Sequence, residues 1–455
     1  MDEQNKARFA SLSAFVEKNM TKWGIPGLAI GVLHQGETAT AGFGVTNVDH
    51  PLPVTDETLF QIGSITKTFV GTAVMRLVEM GKLELDATVR TYLPDFKVAD
   101  ETASSQATIR HLLCHSCGWV GDFFHSTGVG DDALARYVAD MATLEQLAPV
   151  GTTFSYNNAA FCVLGRIIEK ITQKTFEMAL QELVLEPLGL ANSYLTPGDV
   201  MTHRFVVGHC VSDNGPQVAR PWPIERSCNP QGGIICNIKD LLCYARFHLG
   251  DGKSMDGTRL LTADSLAQMQ SPQVMIWEHA HCGLSWGVGQ ATGERQISHS
   301  GGTNGQICLL TCFPEHHFAV AVLTNADNGG LATEAVANRA LKQYLGLQVP
   351  KPEPIQASAE ELAAYTGVYS RPFTDIELGM LGGKLTSLMT FKKGFPNEDA
   401  PPTPAPPPMS IGLCEKDRLL VLDGAYKGAR AEIVRRQDGS IGWLRVEGRI
   451  HVRQE

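Results

Sequence analysis

No apolar run in the 455-residue sequence reaches the roughly 20 residues that a membrane-spanning helix requires, so no helical membrane anchor is expected. No basic run occurs in a chain whose net charge is −10, which argues against a nucleic-acid partner. The N-terminus, Met1-Asp2-Glu3-Gln4-Asn5-Lys6, is polar and lacks the apolar core of a secretory signal. A cytoplasmic location is the expectation, with a trimmed secreted form as the alternative. A disulfide framework is also missing: the 11 cysteines are odd in number and scattered, which suits reduced thiols. Cys114 and Cys117 form a C-x-x-C, but no second pair at zinc spacing follows. Two small half-buried residues near a helix end are the preferred reading there, and no metal site is expected. There is no internal repeat.

The apolar content, 43% of residues, is ample for a globular core, and the length suggests two domains or one domain with an appendage. Residues 5–22 carry Phe9, Leu12, Phe15, Val16 and Met20 at helical spacing. Two apolar runs around Gln35-Gly36, residues 28–33 and 38–44, read as a β-hairpin. Further helices are expected within 108–119, ending at Gly118, at 159–168, at 238–249, at 262–271 and at 331–345. Residues 306–313 and 318–323 form an antiparallel pair around a turn that exposes His316 and His317. A proline-containing linker at 350–355 precedes a change of character, with short alternating runs at 419–422, 431–434 and 442–446 that suggest a small all-β module. The stretch 396–408, which holds seven prolines, reads as an exposed loop without regular structure.

The chemistry concentrates at Phe60-Gln61-Ile62-Gly63-Ser64-Ile65-Thr66-Lys67. Ser64-x-x-Lys67 occurs once in the chain and opens an apolar helix that should be buried. Residues three apart share a helix face, so the amine lies beside the hydroxyl where water is scarce. Burial lowers a lysine's pKa, and a neutral amine can take the proton that a serine nucleophile must lose. A helix N-terminus also favours a developing anion. An N-terminal cap with a surface lysine is the alternative from this stretch alone. Tyr156 and Asn158 precede the helix at 159–168, and alternate residues of an extended loop point the same way. Both could face one cleft, or be a packed ring and a helix cap.

The ordered set Ser64-x-x-Lys67, Tyr156-x-Asn158 and His299-x-Gly301 resembles the serine β-lactamase and penicillin-binding-protein family. It is nearest to the branch of class C β-lactamases, D-aminopeptidases and β-lactamase-fold esterases. The flanks Phe60-Gln61-Ile62-Gly63, 109–118 and Pro230-x-Gly232-Gly233 match as well. The resemblance covers about residues 8–345, and the tail from Leu362 loosely resembles a lipocalin-like barrel appended to some peptidases of that branch. It implies an α/β (α+β) fold: an antiparallel sheet flanked by helices plus a helical subdomain, with a C-terminal β-barrel-like module. The expected division is a hydrolase domain at 1–346, a linker at 347–360 and the β module at 361–455, separable and either limiting access to the cleft or mediating self-association.

By the same resemblance Ser64 would form an acyl-enzyme, Lys67 would take its proton, and Tyr156 would relay protons. Asn158 would orient Lys67 and the substrate amide. His299, Ser300 and Gly301 would bind substrate, and the backbone N–H groups of Ser64 and Gly302 would form the oxyanion hole. No cofactor is needed; the partner is a small-molecule or short-peptide substrate, with a homo-oligomer possible. Gly283-Leu284-Ser285-Trp286-Gly287 spells the G-x-S-x-G elbow, but no helical period follows it as that motif demands, so Ser285 is expected on a core strand. Histidine at 299, where β-lactamases usually carry lysine, is largely neutral near pH 7. The site should then lack a fixed cation beside Ser300 and Gly301, favour esters or D-aminoacyl amides, and hydrolyse β-lactams weakly, with that activity rising as pH falls toward the His299 pKa provided Lys67 stays competent. The expected function is a serine acyl hydrolase. The alternatives are a true β-lactamase, or a non-catalytic sensor of β-lactams or peptidoglycan fragments, or an assembly protein.

Overall fold

The computed structural model describes residues 3–454 apart from 292, 395–401, 403 and 425. An eight-stranded antiparallel sheet forms the centre of the first part of the chain. Its order is Glu37–Gly44, Gly27–His34, Phe318–Thr324, Gln306–Phe313, Glu294–Thr303, Gly287–Ala291, Ala280–Cys282 and Val274–Trp277. The hairpin expected around Gln35-Gly36 is present, with both turn residues at positive φ (50° and 84°), the backbone that matches strand twist in a two-residue connection.

The central strands are apolar on both faces because helices cover both. Leu28, Ile30 and Val32 join Val320 and Val322 against the helices Glu3–Trp23 and Gly330–Tyr344. Ala29 and Leu33, with Ala319, Ala321 and Leu323, pack on the opposite face with Ile238, Leu241 and Leu242 of the helix Ile238–Leu249. This is the two-residue period of a strand serving two cores. Beyond the sheet lies a helical layer that includes Ile109–Leu113, Ala133–Asp140 and Asn158–Thr172. The helix Thr66–Glu79, which follows the serine, is buried at eleven positions, Lys67 among them.

Two local expectations are corrected. The helix Ile109–Leu113 ends at Cys114 and His115, the latter at φ 56°, before Gly118 is reached. Ser285 lies in a bend at φ 67° between strands instead of on a core strand. Its Oγ donates to the Leu284 carbonyl (2.5 Å) and its N–H to that of Leu113 (3.0 Å).

The tail closes into an eight-stranded antiparallel barrel from Gly367–Arg371 to Arg449–Arg453. Tyr369 and Ser370 of the first strand pair with Arg453 and Val452 of the last. Tyr369, Ile376, Leu378, Leu385, Leu419 and Leu444 fill it. Of the expected proline loop, 396–401 and 403 lie outside the described residues, while 404–408 has no regular structure. The hairpin of Ile441–Val446 and Arg449–Arg453 is laid against the first part of the chain. Arg445 donates to the carbonyls of Phe154 (3.1 Å) and Ile276 (2.6 Å) and to Thr153 Oγ1 (2.9 Å). Trp443 donates to the Leu147 carbonyl (2.9 Å).

Candidate active site

Ser64 sits in a single 3-10 turn, Gly63–Ile65, that runs directly into the helix Thr66–Glu79. Lys67 therefore stands one turn further on, and its Nζ lies 2.9 Å from Ser64 Oγ. The same amine donates to the Gln231 carbonyl at 2.5 Å. No carboxylate touches it in the described contacts, and its side chain is wholly buried. Desolvation accordingly pulls its pKa from 10.5 to about 7. At neutral pH the amine is close to half unprotonated, as a general base needs.

The strand Glu294–Thr303 supplies the opposite edge. The strand Gly287–Ala291 covers it only as far as Ser298, so the edge from His299 to Thr303 is open toward the serine. The approach is close enough to require glycines. A Cβ on Gly301 would lie 1.9 Å from the Ile62 carbonyl oxygen, and one on Gly63 would lie 2.6 Å from Gly302 N. The backbone N–H groups of Ser64 and Gly302 are thus drawn together across the seam. His299 Nδ1 lies 2.6 Å from the Ser300 carbonyl, so Nδ1 carries the proton and Nε2 is left as an acceptor. Burial, and then the Lys67 charge, push its pKa down to about 4.

Tyr156 stands over the amine, its ring centroid 5.0 Å from Lys67 Nζ. His115 stacks on that ring at 4.4 Å and accepts the Asn157 N–H at Nδ1 (2.9 Å). Burial pushes the phenol well above its ordinary range, against the opposing effects of its bond to Ser64 and of Arg449. It therefore stays protonated and able to pass a proton. The helix cap is Asn157, whose side chain accepts from Ala160 N, and this leaves Asn158 free to point elsewhere. Asn158 donates to Asp122 Oδ1 at 2.9 Å.

Asp122 leads to the feature that the sequence did not disclose. Its carboxylate receives Arg371 Nη1 at 2.6 Å and Arg449 Nε at 2.8 Å, both from the barrel. Burial opposes its ionisation, but the two guanidiniums more than offset that and hold its carboxyl well below the usual range. Two arginines against one carboxylate leave one net positive charge in this trio, and Glu447 on the same wall opposes it. The expectation of a cleft without a fixed cation is therefore corrected: His299 is neutral, and the charge comes from the barrel. The expected rise of β-lactam activity toward the His299 pKa is also withdrawn. His299 charges only near pH 4, where Lys67, titrating near 7, no longer holds a free pair.

Ser64, Tyr156, Asn158, His299, Ser300 and Gly302 line one cleft of about 510 Å³, together with Asp122, Arg371 and Arg449. Its remaining wall is mixed: Phe124, Trp222, Ile224, Phe373 and Phe391 are apolar, and Glu225, Lys393 and Glu447 are charged. Cys114 and Cys117 are buried thiols, the first pushed by burial up to about 12, and His316 sits at the distant turn beside Glu294 (3.1 Å). Among the described residues no group of three His, Cys, Asp or Glu side chains is placed to hold a metal ion. The arrangement can activate a hydroxyl, stabilise an oxyanion beside it, and return a proton to a leaving group.

A family model described as Beta-lactamase matches residues 12–344. Penicillin-binding protein 4 of Amycolatopsis lactamdurans is 34% identical over 366 residues, which is 77% of this chain and 94% of that one. The crystal structure of SurE shares the fold at a TM-score of 0.78 and 24% identity, over 99% of this chain and 100% of that one; the same protein has been solved with D-Leu. The D-amino acid amidase of Ochrobactrum anthropi SV3, complexed with L-phenylalanine amide, shares the fold at 0.63 and 18% identity, over 76% of this chain and 99% of that one.

Proposed function

Because this chain belongs to the β-lactamase family of serine hydrolases, we propose that it forms an acyl-enzyme at Ser64 and hydrolyses amides or esters of D-aminoacyl or short peptide acyl groups. The observation that carries this reading is the buried Lys67 amine, 2.9 Å from Ser64 Oγ and titrating near 7. Neutral Lys67 takes the Ser64 proton as Oγ attacks the acyl carbon. The N–H groups of Ser64 and Gly302 receive the oxyanion, and two such preorganised donors are worth ~3–4 kcal/mol of barrier each. Tyr156, protonated and bonded to Ser64, passes a proton to the leaving group and then helps to activate the deacylating water. His299 Nε2 accepts from a substrate N–H, and Asn158 positions the substrate amide.

The cleft supports this substrate class. Its volume of about 510 Å³ exceeds what a short-chain ester needs, and the Arg371 and Arg449 guanidiniums on its wall suit an acyl group or acceptor that ends in a carboxylate. SurE with D-Leu and a D-amino acid amidase among the fold relatives favour a D-residue there. The same guanidiniums favour a second reading, β-lactam hydrolysis, because penicillins and cephalosporins carry a carboxylate.

Labelling with a fluorophosphonate tests the nucleophile. Ser64→Ala should abolish labelling and Ser285→Ala should leave it intact; label retained in the first variant overturns the assignment. A panel of nitrophenyl esters, D- and L-aminoacyl anilides and nitrocefin then ranks the substrates. Labelling without turnover of any of them would favour a sensor over a hydrolase.

A further inference from the structure

The barrel does more than wall the cleft. Asp122 is 8% exposed and carries no surface role. Its two oxygens are taken by three donors that come from different places: Asn158 at 2.9 Å on Oδ1, Arg371 at 2.6 Å on Oδ2, and Arg449 at 2.8 Å on Oδ2 with a second bond of 3.3 Å to Oδ1. Arg449 then lies against the Tyr156 ring, its Cζ 4.8 Å from the centroid. One residue back, the Gly448 carbonyl accepts the Tyr156 N–H at 2.8 Å. The tyrosine loop is thus held by the barrel hairpin through its backbone, through its ring and, by way of Asp122, through Asn158.

From this geometry we infer that Asp122 is a positioning residue of the reaction, a buried carboxylate through which Arg371 and Arg449 of the barrel fix Asn158 and set the charge felt by Lys67. The inference rests on the proposed role of Lys67 as base. Arg449 repels the Lys67 cation and favours the free amine; Asp122 attracts it and favours the ammonium. The other titratable groups that face the amine are Cys162 on the helix Asn158–Thr172, Cys228 ahead of Gln231, Tyr156 and His115 on their loops, and His299 on the strand edge. Burial holds Cys162 protonated, and the two histidines stay neutral. Asp122 and Arg449 are therefore the ionised partners across the neutral range, and they act with opposite sign.

Opposite sign makes the test sharp. In the full chain, the rate of Ser64 labelling by a fluorophosphonate is followed from pH 5.5 to 9. Wild type should show an acid limb near pH 7. Arg449→Gln should move the limb to higher pH and Asp122→Asn to lower pH, each by roughly half to one unit for charges at this range in an effective dielectric constant of about 20. Arg371, which is not among the strongest charges acting on Lys67, should move it less when changed to Gln. A role in stability alone would lower the melting temperature and leave the limb in place. If Asp122→Asn does not fold, Arg449→Lys against Arg449→Gln decides: the lysine keeps the charge and holds the limb, and the glutamine raises it. A wild-type limb near pH 7 that no variant moves, or shifts of one sign in both, overturns this inference alone. A wild-type profile with no acid limb overturns Lys67 as base, and this inference with it.

Discussion

Lys67 and Arg449 approach the same tyrosine ring, at 5.0 and 4.8 Å from its centroid, and end in opposite states. Lys67 comes from the hydrolase part, is wholly buried, and among the described residues meets a hydroxyl, a carbonyl and aromatic rings but no carboxylate. The attraction of Asp122 falls short of its desolvation, so it gives up its charge near pH 7. Arg449 comes from the barrel and is largely withdrawn from water, but it meets Asp122 at 2.8 Å. Its guanidinium stays charged, and so does the carboxylate. Burial makes a base only where no counter-ion accompanies it; with a counter-ion, the same burial stores a fixed charge. The site uses one of each.

The largest expected effect breaks the first half of that comparison. Lys67→Arg keeps a cation in place but cannot deprotonate. Labelling and ester turnover at pH 7 should fall by about 10²–10⁴, the range for loss of a general base. Near-normal acylation in that variant would make Lys67 a structural cation, like Arg449.

Removing the barrel breaks the second half. A chain ending at 350 leaves Asp122 without its two guanidiniums, the Tyr156 N–H without the Gly448 carbonyl, and Thr153 and Phe154 without Arg445. The proline-containing linker alone suggested that such a chain would stay reactive. The contacts lead to the other expectation: labelling slower by roughly a hundredfold, the scale of a catalytic group misplaced by about 1 Å. A truncated chain that labels at the full rate would show that the tyrosine loop holds its place without the barrel.

The two walls also differ in how far they could be read from the sequence. Ser64 and Lys67 are three residues apart on one apolar helix, so periodicity alone predicts both their contact and the dry surroundings. The hairpin at Gln35-Gly36, the helix Ile238–Leu249 and the strand pair around residues 314–317 were legible for the same reason, since each rests on local pattern. The pairs of Asp122 with Arg371 and Arg449 span 249 and 327 residues, and no local pattern marks either arginine. In the strand Arg449–Arg453, alternation gives the strand and not what its first side chain meets. Asn157 was overlooked as the cap beside Asn158 because either asparagine could serve, and only the loop's path chooses. The motif around Ser285 is followed by a strand and not by the helix that a nucleophile elbow needs. Its bend, fixed by a bond to Leu113 far away in sequence, had no local signal.

The smallest effect is expected at His299. Were His299 the only place for a cation, replacing it with lysine should supply a charge-assisted bond to a substrate carboxylate, worth ~1.5–3 kcal/mol or roughly ten- to hundredfold in rate. Arg449 already lines the same cleft, so part of that gain is present in the wild type. His299→Lys should therefore raise kcat/KM for nitrocefin over a nitrophenyl ester by less than about tenfold. The pH dependence follows from the two shifts. Lys67 titrates near 7, so each pH unit below that removes about nine-tenths of the remaining free amine. His299 gains its proton only near 4, where about one amine in a thousand is still free. Wild-type nitrocefin and ester rates should therefore fall together between pH 7 and 5, with no acid-side rise for nitrocefin. The ratio of the two, measured across that range in both proteins, checks this. A ratio that climbs as pH falls in the wild type, or a hundredfold gain from lysine, would show that Arg449 does not reach the substrate carboxylate and that the charge deciding between substrates belongs at position 299.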